Sequence, residues 1–127
     1  MKLLNHVQIK VSNLEKNKKF YDSIMEVLGY NIVLQIDNTV IGYGTSPHDM
    51  LEIRQATEGF TLSQSVHIAF NAPSKEAVDN FYHRAIDNGA QCNGKPGLRE
   101  YEDGYYAAFV IDPNGHNLEA VYKQNNG

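Results

Sequence analysis

The chain repeats itself. His6 opens a short run in which polar and apolar residues alternate, His6-Val7-Gln8-Ile9-Lys10-Val11, and His67 opens a matching run, His67-Ile68-Ala69-Phe70-Asn71, 61 residues further on. The same offset carries Phe20-Tyr21 onto Phe81-Tyr82 and Met25 onto Ile86, and Gly29 and Gly89 close both segments one residue out of register. A fixed internal offset is the mark of two copies of one supersecondary unit. Each copy ends in a strand-like run that carries a glutamate, Met50-Leu51-Glu52-Ile53 in the first and Asn117-Leu118-Glu119-Ala120-Val121 in the second. Two histidines and two glutamates at equivalent places in two repeats predict one metal site on a pseudo-twofold axis.

The local signals fill in each copy. A strand is expected over about 4–11, followed by a helix. Ser12 to Glu15 reads as its capping box, with Leu14, Tyr21, Ile24 and Leu28 as its apolar stripe and Gly29 as its stop. Strands follow over about 31–36, 39–44 and 50–55, then a polar connector over 56–64. The second copy starts with a strand over about 65–71 and a helix capped by Ser74, with Val78, Phe81, Tyr82, Ala85 and Ile86 buried and Asn88-Gly89 ending it. Asn93-Gly94-Lys95-Pro96-Gly97 is expected to be a loop, strands over about 104–111 and 117–123 complete the chain, and the polar tail from Lys123 is expected to fray. Asp112-Pro113-Asn114-Gly115 fits a type I turn between those last strands.

The order is βαβββ twice, within a single domain over 1–127 whose first module spans about 1–55 and second about 65–123. Two helices are too few for an all-parallel sheet. The fold class is therefore α+β, with a mixed, mostly antiparallel curved sheet and both helices on its outer face.

Side chains alternate along a strand. Val7, Ile9 and Val11 share one face of the first strand, and Val66, Ile68 and Phe70 one face of the fifth. Leu51 and Ile53 oppose Glu52, and Leu118 and Ala120 oppose Glu119. If the apolar faces pack under the helices, His6, Glu52, His67 and Glu119 all fall on the helix-free face. Two imidazoles and two carboxylates form a borderline donor set that suits one divalent ion of Zn, Ni, Co, Mn or Fe. Arg54 shares the face of Glu52 and is placed either to bind substrate or to pair with that carboxylate. Arg99, Tyr101, Tyr105 and Tyr106 lie in a stretch rich in aromatic and charged groups that suits an anionic or polar small-molecule substrate. His48, His83 and His116 are read as solvated.

Composition narrows the classes further. A net charge of −4 and the absence of a Lys/Arg block exclude a nucleic-acid partner. No stretch reaches the roughly 18 apolar residues of a membrane span. One cysteine, Cys92, permits no internal disulfide, and the opening residues lack the apolar run of a signal peptide, so a cytoplasmic protein is expected. The sheet edges and the open concave face predict a homodimer.

The run His6-Val-Gln-Ile-Lys-Val-Ser-Asn-Leu-Glu, the Phe20-Tyr21 and Leu28-Gly29-Tyr30 that follow it, and the closing Asp112-Pro-Asn-Gly-His-Asn-Leu-Glu119 resemble the vicinal oxygen chelate superfamily. That superfamily includes glyoxalase I, bleomycin and fosfomycin resistance proteins, and extradiol dioxygenases. The likeness spans essentially the whole chain and is greatest to the short bacterial glyoxalase-like proteins. It implies paired βαβββ modules, dimerisation, and a metal held by His6, His67 and Glu119, with Glu52 matching the fourth ligand of glyoxalase I. No glutathione-binding set maps onto the chain. The leading function is then a metal-dependent lyase or isomerase of glyoxalase type: the metal chelates adjacent substrate oxygens and stabilises an enediolate, and Glu119 or Glu52 is the base. The alternatives are an Fe(II) dioxygenase using His6, His67 and Glu119, against which Glu52 as a ligand would argue, and a non-enzymatic small-molecule binding protein with an aromatic-lined groove.

Overall fold

The computed structural model describes residues 3–59 and 62–124, so the polar tail beyond Gln124 lies outside the described residues. Two βαβββ modules follow one another. The first is β1 (His6–Val11), α1 (Leu14–Leu28), β2 (Asn31–Ile36), β3 (Val40–Ser46) and β4 (Asp49–Gln55), and the second is β5 (His67–Asn71), α2 (Lys75–Asp87), β6 (Gln91–Leu98), β7 (Tyr105–Ile111) and β8 (Asn117–Lys123). Each module closes its own four-stranded sheet, in the orders β1-β4-β3-β2 and β5-β8-β7-β6. The first strand runs parallel to the last, and the other pairings are antiparallel. The sheets are therefore mixed and mostly antiparallel, as expected from a chain with only two helices.

The internal repeat is kept in the register. Gln8 pairs with Glu52 and Ala69 with Glu119. His6 and His67 each stand two residues before the strand partner of a glutamate, one step along the same face. This relation places each histidine beside its own module's carboxylate.

α1 packs on its own sheet, α2 on the other, and the helices pack on each other. Ile9, Val11, Phe20, Tyr21, Ile24, Ile53, Val78, Phe81, Val110 and Leu118 form one core shared by the modules. At roughly 1.5–3 kcal/mol for each fully buried large apolar side chain, this layer supplies the main stabilisation. Among the described residues no helix is long and apolar enough to cross a membrane.

Two local expectations are corrected. Asn13, rather than Ser12, caps α1: its side chain accepts from Lys16 N at 2.9 Å. The segment expected to be a loop, 93–97, lies inside β6. β6 is an edge strand whose pairing with β7 shifts between Cys92 and Gly94 and again between Gly94 and Gly97. Pro96 falls within the second irregularity, where no ladder donor is needed.

Gly44 shows how tightly the β3–β4 hairpin is drawn. A Cβ there would collide with the Asp49 carbonyl oxygen and stand 2.8 Å from Met50 Cα, both backbone atoms. At Gly42 the closest atom met is the flexible Met50 Sδ, at 2.5 Å. Gly44→Ala is expected to cost about 1–3 kcal/mol, the usual range for overpacking, and Gly42→Ala distinctly less. Urea denaturation of the two variants checks the order.

Candidate metal centre

The helix-free faces carry two His–Glu pairs. In the first module His6 Nε2 lies 3.8 Å from Glu52 Oε1. His6 Nδ1 is 2.8 Å from Asn5 Oδ1, and Asn5 Nδ2 lies 3.3 Å from His48 Nδ1. A carbonyl oxygen accepts only, so Nδ1 is the donor in this bond, and Nε2 is the ring nitrogen turned toward Glu52. An orienting bond of this kind is what a metal-ligating imidazole ordinarily has. Asn5 is thus an orienting neighbour of His6 that the strand pattern did not single out. Its place directly before His6 was the available signal.

Glu52 is only 7 % exposed, yet its hydrogen-bond donor among the described residues is the neutral Gln8, at 3.3 Å. Arg54 forms no ion pair with it among the described residues, so the arginine does not draw the carboxylate away from His6.

The second pair is tighter. His67 Nε2 lies 3.0 Å from Glu119 Oε1, and Glu119 is 3 % exposed. Tyr105 donates its hydroxyl to Glu119 Oε2. Burial, then the bond to Glu119 and its charge, push the Tyr105 hydroxyl up to about 12, so it stays protonated across the neutral range. The Tyr101 ring meets the Tyr105 ring edge-on at 5.2 Å. Phe109, strand partner of Glu119, lies 6.0 Å from the His67 ring. The Arg99 guanidinium stands 5.4 Å from the Phe109 ring centre and donates to Gly97 O at 2.9 Å and Lys95 O at 2.6 Å.

Arg99, Tyr101 and Tyr105 therefore gather beside the second pair. Tyr106 does not. It faces the helix side of β7, where its hydroxyl donates to Asp79 Oδ1 of α2 at 2.6 Å and Lys75 covers its ring. Neighbouring strand residues point to opposite faces, so Tyr105 and Tyr106 could not both serve one site.

The four ligands expected at a single point are held as two separate pairs. Among the described residues no three His, Cys, Asp or Glu side chains come together as a metal site within the chain. A cleft of about 550 Å³ beside β1 takes in Asn5, His6, Tyr43, Thr45, Asp49 and Phe70, but not Glu52, His67 or Glu119.

His48 and His83 are exposed as expected, but His116 is wholly buried. Its Nδ1 faces Asp112 Oδ2 at 3.2 Å and its Nε2 faces Ser63 O at 2.8 Å. The bond to Asp112, outweighing burial, raises its pKa. The spacing of Asp112 and His116 around a turn was the signal that could have marked the pair.

Comparison with known proteins agrees with this architecture. The glyoxalase/bleomycin resistance protein/dioxygenase superfamily matches residues 3–120. The metallothiol transferase FosB of Shouchella clausii (strain KSM-K16) is 33 % identical over 123 residues, covering 91 % of this chain and 77 % of its own length. A glyoxalase/bleomycin resistance protein from Albidiferax ferrireducens T118 superposes with a TM-score of 0.82 at 28 % identity, covering 97 % of this chain and all of the other. A putative glyoxalase from Bacillus halodurans gives a TM-score of 0.72 at 27 % identity, with 96 % of each chain covered. With the repeated modules, the equivalent His–Glu registers and a match over nearly its whole length, the chain belongs to the glyoxalase/bleomycin resistance protein/dioxygenase superfamily.

Proposed function

We propose that the protein is a metal-dependent lyase or isomerase of glyoxalase type, working as a homodimer. In this reading His6 and Glu52 of one copy join His67 and Glu119 of the other around one divalent ion of Zn, Ni, Co, Mn or Fe. The observation that carries it is the pair of nearly buried carboxylates, Glu52 and Glu119, each facing a histidine and neither paired with Lys or Arg among the described residues. A buried carboxylate without a cation beside it is costly. One imidazole and one carboxylate are too few donors to close a site, and two such pairs make four.

When bound, the metal would polarise adjacent oxygens of a small substrate and ease loss of a proton from the neighbouring carbon. Glu119 has Oε2 taken by the Tyr105 hydroxyl, and its Oε1 faces His67, where in this reading both would meet the metal, so neither oxygen is left for a substrate proton. Among the described residues Glu52 uses Oε1 alone, toward Gln8 and His6, leaving Oε2 to accept the substrate proton. Glu52 is therefore the base. Arg99, Tyr101 and Arg54 bind the substrate, and the N–H groups that Arg99 does not spend on Gly97 O and Lys95 O serve an anionic group.

The test combines metal analysis of protein purified without chelator, its mass by light scattering, and proton exchange by NMR. The expected results are a dimer holding about one ion per chain, and metal-dependent uptake of solvent deuterium next to the carbonyl of a small hydroxyketone. A metal-free monomer would overturn the reading. The 33 % identity to a metallothiol transferase favours a second reading, transfer of a thiol to an electrophile at the same centre. Thiol consumption without deuterium uptake would select it.

A further inference from the structure

We infer that Tyr105 is a positioning residue for Glu119: by occupying Oε2 it leaves Oε1 as the one oxygen that can serve a metal, which fixes the carboxylate's denticity. The inference rests on the metal-centre reading and deepens it.

A carboxylate has two oxygens and can give either one or both to a cation. Glu119 has its oxygens divided in the folded chain, with Oε1 beside His67 Nε2 at 3.0 Å and Oε2 accepting the Tyr105 hydroxyl. A tyrosine hydroxyl ordinarily keeps its proton throughout the neutral range, so it can donate this bond.

The arrangement is built by the strands. Glu119 pairs with Phe109, Val121 with Ala107 and Lys123 with Tyr105, so these residues share one face. Tyr105 stands two same-face steps from Phe109 and must reach along the strand to meet Glu119. Ala107 is the position between, fully buried, and its single methyl leaves the ring room to do so. Tyr101 holds the ring from the side, with the planes at 87°. The backbone is tied as well, because Arg99 N donates to Tyr105 O at 2.8 Å. Among the described residues Glu52 has no such partner on Oε2, so the two modules differ in how their carboxylates are held. This asymmetry gives Glu119 the fixed ligand's role and Glu52 the mobile one.

The experiment titrates Mn(II) and Co(II) into the metal-free unsubstituted protein, Tyr105→Phe and Tyr101→Phe. Tyr105→Phe removes only the hydroxyl, and its thermal melt establishes that it folds. Its apparent metal affinity is expected to fall by about 10–100-fold, as for loss of an outer partner of a ligand. Its Co(II) visible bands are expected to weaken, because a freed carboxylate binding through both oxygens raises the coordination number. A merely structural tyrosine would not move that spectrum. Tyr101→Phe keeps the ring that meets Tyr105 and should match the unsubstituted protein in metal affinity and Co(II) spectrum. If the unsubstituted protein binds metal and Tyr105→Phe has the same affinity and spectrum, the inference is overturned and the metal reading stands. If the unsubstituted protein binds no metal, both fall.

Discussion

Replacing Asp112 with alanine is expected to lower folding stability by about 3–5 kcal/mol, the cost of leaving a buried charge without its partner. Asp112 and His116 have fully buried side chains. Asp112 Oδ1 accepts from the backbone N–H groups of Asn114 and His116, each at 2.8 Å. Its Oδ2 accepts from the Tyr21 hydroxyl of α1 at 2.6 Å and faces His116 Nδ1. On its other side, His116 meets the Ser63 carbonyl, and Ser63 Oγ accepts from Lys10 N of β1 at 3.0 Å. One carboxylate thus joins the β7–β8 turn to α1, and its histidine ties in the inter-module connector. Both partners of the ring accept only, so both ring nitrogens donate and the buried imidazole is a cation.

The pH dependence follows from the same geometry. Burial pushes Asp112 up, but the hydrogen bonds from His116 and Tyr21 outweigh it and leave its pKa below the ordinary value. The bond to Asp112 raises that of His116 against the effect of burial. The Asp112 contribution is complete above the unfolded carboxylate value of about 3.9 and is lost as pH falls through the lower folded value. The His116 contribution is complete below the unfolded histidine value of about 6.5 and is lost as pH rises through the higher folded value. Unfolding free energy from urea titrations should therefore be greatest between about pH 4 and 6.5 and decline on the alkaline side, a decline that Asp112→Ala abolishes. A profile flat from pH 5 to 9 would mean that folding leaves the His116 pKa at its ordinary value, and one that rises from pH 5 to 6.5 would mean that the ring is neutral in the fold.

What the sequence reveals depends on how local its cause is. The parity that sets His6, Glu52, His67 and Glu119 on the helix-free faces follows from strand alternation alone, so it was legible, as was the equivalence of the two modules. β6 was not, because its glycines and Pro96 erase the alternation and an edge strand needs only backbone pairing with β7. His116 was misread because its Ser63 partner is 53 residues away, brought there by the fold. The separation of Tyr105 from Tyr106 was legible in principle, since adjacent strand residues diverge. The division of the four side chains into two pairs was not: it depends on which faces meet in the fold, and in the reading proposed above only assembly joins the pairs, which no strand pattern encodes.

Assembly is accordingly where the largest functional effect is expected. If each centre takes one His–Glu pair from each copy, then His6→Ala/Glu52→Gln protein and His67→Ala/Glu119→Gln protein each lose tight metal binding completely, because every centre in either homodimer lacks half its donors. Little stability should be lost at the histidines, whose side chains are 49 % and 53 % exposed. Co-expressing the two variants with different tags, and purifying through both, isolates the mixed dimer. In a twofold dimer one centre then receives both intact pairs and the other receives both damaged ones, so binding should return to about one ion per dimer. The unsubstituted protein should hold about two. Recovery cannot arise if the pairs meet within a chain, since each chain of the mixed dimer carries a defective pair. Metal analysis of the doubly purified dimer decides between them: about one ion places the centre across the interface, and none returns it to the single chain.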